Sequence, residues 1–253
     1  MLVAEAVSLR IGPVVLLDGA DFEAEPGRLT VIIGPNGAGK STLLSCLTGE
    51  RRPDRGSVRL DGRDICSFTP AALAARRAVL PQSSNLSFPF TVGDVVGIGL
   101  DRRLASGPRP DDDILRLALQ RVGLAGYERR LYQTLSGGER QRAHFARVLA
   151  QVWEPEVDGA PRYLMLDEPT ASLDLKHQID ILDIARDYAR AGGGVIAVLH
   201  DIDLAQVFAD RIVVMKEGRV AAAGPAASVV TEALLKSVYQ LDDRMIALKR
   251  LSA

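Results

Sequence analysis

The chain has 253 residues, 47% of them hydrophobic and 25% charged, so it holds enough apolar material for a core without a disulfide or metal staple. Its 31 basic and 32 acidic residues leave a net charge of −1, which removes the electrostatic ground for nucleic acid or an anionic lipid surface as a main partner. Cys46 and Cys66 fall in no CxxC or metal spacing, no apolar run approaches the ~18 residues of a membrane span, and Met1-Leu2-Val3-Ala4-Glu5 lacks the basic-then-apolar order of a signal peptide.

In chain order, short strands are expected over residues 3–9, 14–17 and 20–24, punctuated by Gly12-Pro13 and Pro26-Gly27. A β-branched run at 29–33 ends in Gly34, and after a Gly-rich loop a helix is expected over 40–47. A strand at 57–60 runs into the turn Asp61-Gly62. Helical periodicity then dominates residues 69–151, with helices expected at 70–77, 92–98, 111–122 and 138–150. The last part returns to alternation: a strand at 163–166, a helix at 175–191, a strand at 195–199, a hairpin of 212–216 and 219–222 across Glu217-Gly218, and a helix at 232–239. This order predicts an α/β core interrupted by a helical lobe and then resumed.

The chemistry begins in the Gly-rich loop. Gly34-Pro35-Asn36-Gly37-Ala38-Gly39-Lys40-Ser41 matches G-x-x-x-x-G-K-[ST]. Its glycines let backbone N–H groups turn around phosphate oxygens, and the helix starting at Lys40 points its positive end at the same anions. Lys40 is placed to reach the β- and γ-phosphates, and Ser41 to offer a hydroxyl to Mg²⁺. Tyr163-Leu164-Met165-Leu166-Asp167-Glu168 is a buried strand that delivers two carboxylates at its end. Asp167 suits the outer shell of the metal, and Glu168 a general base acting on water. His200 ends the strand at 195–199, and a neighbouring strand would place it beside the γ-phosphate. Gln82 follows Val79-Leu80-Pro81 at the seam between core and lobe, where an amide can touch metal and water without bringing charge.

Leu135-Ser136-Gly137-Gly138-Glu139-Arg140-Gln141 is a second helix start fit for phosphate. Ser136 is a good N-cap, and Gly137-Gly138 leave the helix end uncovered. One phosphate chain does not need two cradles from the same lobe. The economical arrangement is a head-to-tail pair of chains in which Ser136, Gly137 and Gly138 of one cover the γ-phosphate held by the other. The other histidines, His144 and His177, read as surface or interface residues.

With these residues in hand, the chain resembles the ATP-binding subunits of ABC transporters over most of its length. Residues 34–41 are similar to a Walker A loop, Gln82 to a Q-loop glutamine, 135–141 to the LSGGQ signature, 163–168 to a Walker B strand, and His200 to a switch histidine. Ala171-Ser172-Leu173-Asp174 is similar to a D-loop, which singles out Ser172 and Asp174. The resemblance implies a P-loop NTPase (RecA-like) α/β core with an N-terminal antiparallel β subdomain and an inserted helical subdomain. The implied division is 1–82 and 152–253 for the core and 83–151 for the helical subdomain, all within one ATPase domain. It implies a nucleotide site of Gly34, Pro35, Asn36, Gly37, Ala38, Gly39, Lys40, Ser41 and Thr42, with Glu168, His200, Lys40 and Gln82 catalytic and Ser41, Gln82 and Asp167 on Mg²⁺.

Family members often stack adenine on an aromatic near the end of the first strand. Here the matching Leu9-Arg10-Ile11-Gly12 has none, so Ile11 or Arg10 is expected against the base. Within the family, the stretch Val79-Leu80-Pro81-Gln82-Ser83-Ser84 with Leu86-Ser87-Phe88-Pro89-Phe90-Thr91-Val92 is similar to that in subunits of importers for haem, ferric siderophores and vitamin B12, the hemin importers above all. The implied partners are a second copy, two transmembrane permease subunits and, indirectly, a periplasmic substrate-binding protein. The implied place is the cytoplasmic face of the inner membrane. Residues 83–91, with Phe88 and Phe90, are the expected permease contact. ABC-type ATPases of DNA repair, ribosome function or iron–sulfur assembly are the competing class. No sustained heptads between Ser41 and Leu135, a single cassette and a neutral charge disfavour the first two of these.

Overall fold

The computed structural model describes residues 1–82, 88–100 and 110–246. In chain order these form β1 (Leu2–Ile11), β2 (Val14–Ala24), β3 (Leu29–Ile33), α1 (Lys40–Leu47), β4 (Arg55–Leu60), β5 (Arg63–Asp64), α2 (Pro70–Ala74), β6 (Arg77–Leu80), α3 (Val92–Gly97), α4 (Pro110–Arg121) and α5 (Gly137–Gln151). There follow β7 (Glu156–Val157), β8 (Ala160–Pro161), β9 (Tyr163–Asp167), α6 (Leu175–Arg190), β10 (Gly194–Val198), α7 (Ile202–Phe208), β11 (Arg211–Lys216), β12 (Arg219–Pro225), α8 (Ala226–Val229) and α9 (Glu232–Tyr239).

The larger sheet has the order β12-β11-β3-β10-β9-β6. All its pairs are parallel except the β11–β12 hairpin. Every residue of β3, β9 and β10 is buried, which is why these segments read as unbroken apolar runs rather than alternating ones. The two faces still separate with period two. Val31, Ala197 and Leu166 join one core cluster, and Ile32, Val198 and Met165 the other. Parallel strands end together, so Gly34, Gln82, Glu168 and His200 all follow strand ends on one edge of the sheet, where open α/β sheets bind ligands.

A second, antiparallel sheet of order β2-β1-β4-β5 packs beside this core. Residues 14–24 form one strand rather than the expected two. The gap between the two expected strands is absorbed by register shifts in the β1–β2 pairing, with the Gly19 N–H donating to Ser8 Oγ at 2.9 Å.

The helix expected over 70–77 stops at Ala74, and residues 77–80 become β6, an edge strand on β9. Parallel pairing to a fully buried neighbour overrides the local helical pattern. The turn of α7 was not anticipated, although Asp201 is a serviceable N-cap, accepting from the Asp203 and Leu204 N–H groups. Helix α9 has the bounds the sequence predicts, capped by Thr231.

Helices α3 and α4 pack on α5, and α5 is tied to the sheet edge. Gln151 donates to the carbonyls of Ala74 and Arg77 at 2.9 and 3.0 Å. His144 corrects the sequence reading. It is 5% exposed within α5, not at the surface, and its Nε2 lies 2.8 Å from the Tyr132 hydroxyl. Burial pushes its imidazole down to about 4, so the ring is neutral at neutral pH. Among the described residues, no helix is long and apolar enough to cross a membrane.

Candidate functional site

Beyond that strand edge lies a cavity of about 890 Å³. One wall is residues 36–42, another is Gln82, Glu168 and His200, and a third is Val14, Val15, Leu16, Glu217 and Gly218. The loop that makes the first wall is held by its backbone. Gly34 has φ 154°, and a Cβ there would stand 2.3 Å from the Met215 carbonyl oxygen. Gly39, at φ 96°, is the N-cap of α1, and a Cβ would stand 2.8 Å from the Leu16 carbonyl oxygen. The loop is also pinned from behind, since the Gly218 N–H donates to the Ala38 carbonyl at 3.0 Å.

Lys40 is 6% exposed. Its Nζ donates to the carbonyls of Gly34 and Pro35, both at 2.9 Å, which leaves one of the three ammonium donors for the cavity. Burial lowers its pKa, and the nearby Glu168 and Asp167 carboxylates oppose that shift. Ser41 Oγ donates to Asp167 Oδ1 at 3.0 Å. Burial raises the Asp167 pKa against that hydrogen bond. A serine hydroxyl backed by a carboxylate, with an amide close by, is a donor set for a hard cation that keeps most of its ligands as water and phosphate oxygen, as Mg²⁺ does.

Glu168 is the hub of the second wall. Its Oε1 lies 2.5 Å from His200 Nε2, and its Oε2 accepts from Gln82 Nε2 at 2.9 Å. Both partners come from strand ends that flank β9, so register alone brings the three together. Glu168 has φ 51°, in the left-handed region that a non-glycine residue enters at a cost of roughly 1–3 kcal/mol. Such a conformation persists where neighbours hold it, and here the Glu168 N–H donates to the Val198 carbonyl at 3.2 Å.

Residues 135–141 do not line this cavity. Ser136 caps α5 in a complete capping box. Its Oγ accepts from the Glu139 N–H at 3.2 Å, and its own N–H donates to Glu139 Oε2 at 2.8 Å. That backbone bond is the main reason the Glu139 carboxyl titrates below its ordinary range. Tyr127 also donates to Glu139, at 3.0 Å. Glutamate thus closes the box where the resemblance would put glutamine. Ser136 and Gly137 are exposed, and Gly138 faces Leu173 and Ser172 of the same chain. Ser172 has φ 62°, and Asp174 caps α6 by accepting from the His177 N–H at 3.0 Å.

Of the two residues expected against the base, neither Ile11 nor Arg10 lines the cavity. Ile11 pairs with Val14 at the turn end of the β1–β2 hairpin, and Val14 and Val15 carry the wall instead. From the sequence, Glu217 and Gly218 are only a hairpin turn. Nothing local marks them as site residues, because the pairing of β11 with β3 is what brings that turn to the loop. Of the expected contact segment, residues 83–87 lie outside the described residues. Phe88 is 70% exposed, and Phe90 packs on the core.

The sequence pattern of the family described as ABC transporter matches residues 17–171. The chain is 52% identical over 239 residues to a "Hemin import ATP-binding protein HmuV" of Jannaschia sp., covering 94% of this chain and 87% of that one. It is 50% identical over 240 residues to the protein of that name from Mesorhizobium japonicum, covering 94% and 91%. Among solved structures, a bacterial Atm1-family ABC exporter with ATP bound superposes with TM-score 0.78 at 27% identity, over 100% of this chain and 42% of that one. A dimeric ATP-binding cassette in a post-hydrolysis state, bound to ADP and Pi, gives TM-score 0.77 at 24% identity, over 90% and 100%.

Proposed function

The chain belongs to the ABC transporter family, and from that premise we propose that it is the ATP-hydrolysing subunit of an importer carrying haem across the inner membrane. The observation that supports hydrolysis is the Glu168 hub, a carboxylate on a left-handed backbone, held by His200 and Gln82 across one cavity from the Lys40 loop. The support for haem is the likeness, at about half the residues, to hemin import proteins over nearly their whole length.

In this reading the N–H groups of residues 36–42 and the free donor of Lys40 bind the β- and γ-phosphates. Glu168 orients water and takes its proton, and His200 holds the γ-phosphate and water in line. Ser41, Asp167 and Gln82 would hold Mg²⁺, which supplies charge neutralisation at the phosphates. Ser136 and Gly137 are exposed, Gly138 is half-buried beside Ser172, and none of the three lines that cavity, which favours their use on a nucleotide held by a second copy, with Ser172 and Asp174 near the same junction. Residues 1–82 and 152–253 then act as the catalytic core, and 83–151 as the lobe that presents Ser136 to the partner. The exposed Phe88 marks the side offered to a permease subunit. The chain works as a peripheral subunit on the cytoplasmic face of the inner membrane, and the periplasmic substrate-binding protein acts on it only through the permeases.

The test is ATPase activity of the transporter assembled with its permeases and binding protein in vesicles, with haem, a ferric siderophore or cobalamin supplied. Haem is expected to raise turnover and the other two to leave it at the basal rate. Stimulation by cobalamin or the siderophore alone would reassign the cargo.

The cavity also fixes an expectation about the base. No Phe, Tyr or Trp lines it, and Val14 and Val15 offer only apolar contact. Apolar walls discriminate weakly between rings of similar size, so ATP and GTP should be hydrolysed with kcat/KM values within about tenfold of each other. A preference for ATP of about a thousandfold in a competition assay would mean a polar base contact that these residues do not provide.

A further inference from the structure

The turn that leads into Ser136 is anchored to the helix that follows it. Tyr132, in the 3-10 turn Tyr132–Thr134, is 3% exposed, and its hydroxyl lies 2.8 Å from Nε2 of His144, which is 5% exposed. The two rings meet edge to face, with centroids 5.4 Å apart. One turn nearer the helix start, Arg140 lies over the Tyr132 ring, 5.7 Å from its centroid, and donates to the Gln133 carbonyl at 2.7 Å. Residues 140 and 144 share one face of α5, so the helix grips the turn at two points and leaves Ser136 at the apex of a closed loop. On its other side, the Tyr132 N–H donates to the Phe90 carbonyl at 2.9 Å.

His144 is a costly residue for this place. Its Nδ1 is buried and has no hydrogen-bond partner. A leucine would fill comparable space without the orphaned nitrogen, and would leave the Tyr132 hydroxyl unpaired in its place. What only the imidazole supplies is a directional bond to the Tyr132 hydroxyl.

We propose that Tyr132 and His144 are positioning residues for the reaction: their bond sets the direction in which Ser136 and the first amides of α5 face the nucleotide held by the partner copy. The pair touches no reacting atom and acts through Ser136. This rests on the reciprocal dimer put forward above.

Two substitutions in the full chain test it. Tyr132→Phe keeps the ring and the Arg140 contact and removes only the hydroxyl. His144→Leu removes both the bond and the orphaned nitrogen. Each should lower kcat about tenfold and leave the KM for ATP within about twofold, and the Tyr132→Phe/His144→Leu double variant, which leaves neither the hydroxyl nor a ring nitrogen unpaired, should melt at or above the parent. A melting temperature that falls while kcat holds would mean a packing role alone and would overturn the proposal.

Mixed dimers locate the effect. With Tyr132→Phe and Glu168→Gln in the same protomer, the surviving Glu168 faces the altered signature turn, and turnover should fall about tenfold below that of the dimer carrying them in opposite protomers. Equal rates in the two arrangements would also overturn it. Dimers carrying Glu168→Gln in both protomers serve as the control. If they hydrolyse ATP normally, the reading of the site has failed, and not merely the role of this pair.

Discussion

Glu168→Gln should reduce ATP turnover by about a thousandfold while leaving ATP binding intact. Removing a general base costs about 10²–10⁴ in rate. The carboxylate here is held by His200 and Gln82 at the cavity wall, and a loss near the middle of that range is expected. Glutamine has the same shape and can still accept from one of those donors, so the backbone at residue 168 and the strand end should keep their form. The nucleotide contacts of residues 36–42 are untouched. Binding without hydrolysis should therefore trap the closed pair. Size-exclusion chromatography with MgATP is expected to show a long-lived dimer for the variant and a transient one for the parent. Single-turnover hydrolysis at the parental rate would remove Glu168 from its role.

Lys40→Met should weaken ATP binding by about 3 kcal/mol, or roughly a hundredfold in Kd. The side chain is nearly as long as lysine and apolar, so it can occupy the same buried channel. It supplies neither the bonds to the Gly34 and Pro35 carbonyls nor the remaining donor for phosphate. Two effects follow from the geometry. The loop loses the tie across its base, and the phosphates lose their nearest buried cation. Calorimetric titrations with ATP and with adenosine separate this from a general collapse of the cavity. The loss should fall on ATP and leave adenosine, which lacks phosphates, nearly unchanged. An equal loss for both ligands would mean that Lys40 supports the cavity wall and not the phosphates.

The parts of the molecule legible in advance are those whose encoding is local. The Gly-rich loop needs glycine at 34, 37 and 39 because these residues take φ values of 154°, 77° and 96°. The strands at residues 29–33, 163–167 and 194–198 are buried on both sides, and unbroken apolar runs announce them. The end of α9 is fixed by Gln240 in the left-handed region, and its start by the Thr231 cap, both short-range effects.

The parts that the local sequence does not mark depend on pairing at a distance. Residues 77–80 carry no mark of their own that makes them a strand, and β9 makes them one. Nothing in the spacing around His144 says that Tyr132 will close over it. The choice of Val14 and Val15 over Ile11 for the cavity wall follows from where register shifts turn the β1–β2 hairpin.

By itself, then, the amino-acid order determined the phosphate loop, the acidic strand end, the signature helix start and the family, because each is a contiguous run whose backbone conformation or cap is set by its own residues. Only the tertiary structure decided that Gln82 and His200 both bind Glu168, that valines line the cavity, and that the signature turn is anchored by a buried tyrosine–histidine bond. The reason is physical. Conformational preferences act over a few residues, whereas parallel sheet register joins side chains that are scores of residues apart, and it is set by packing of the whole core.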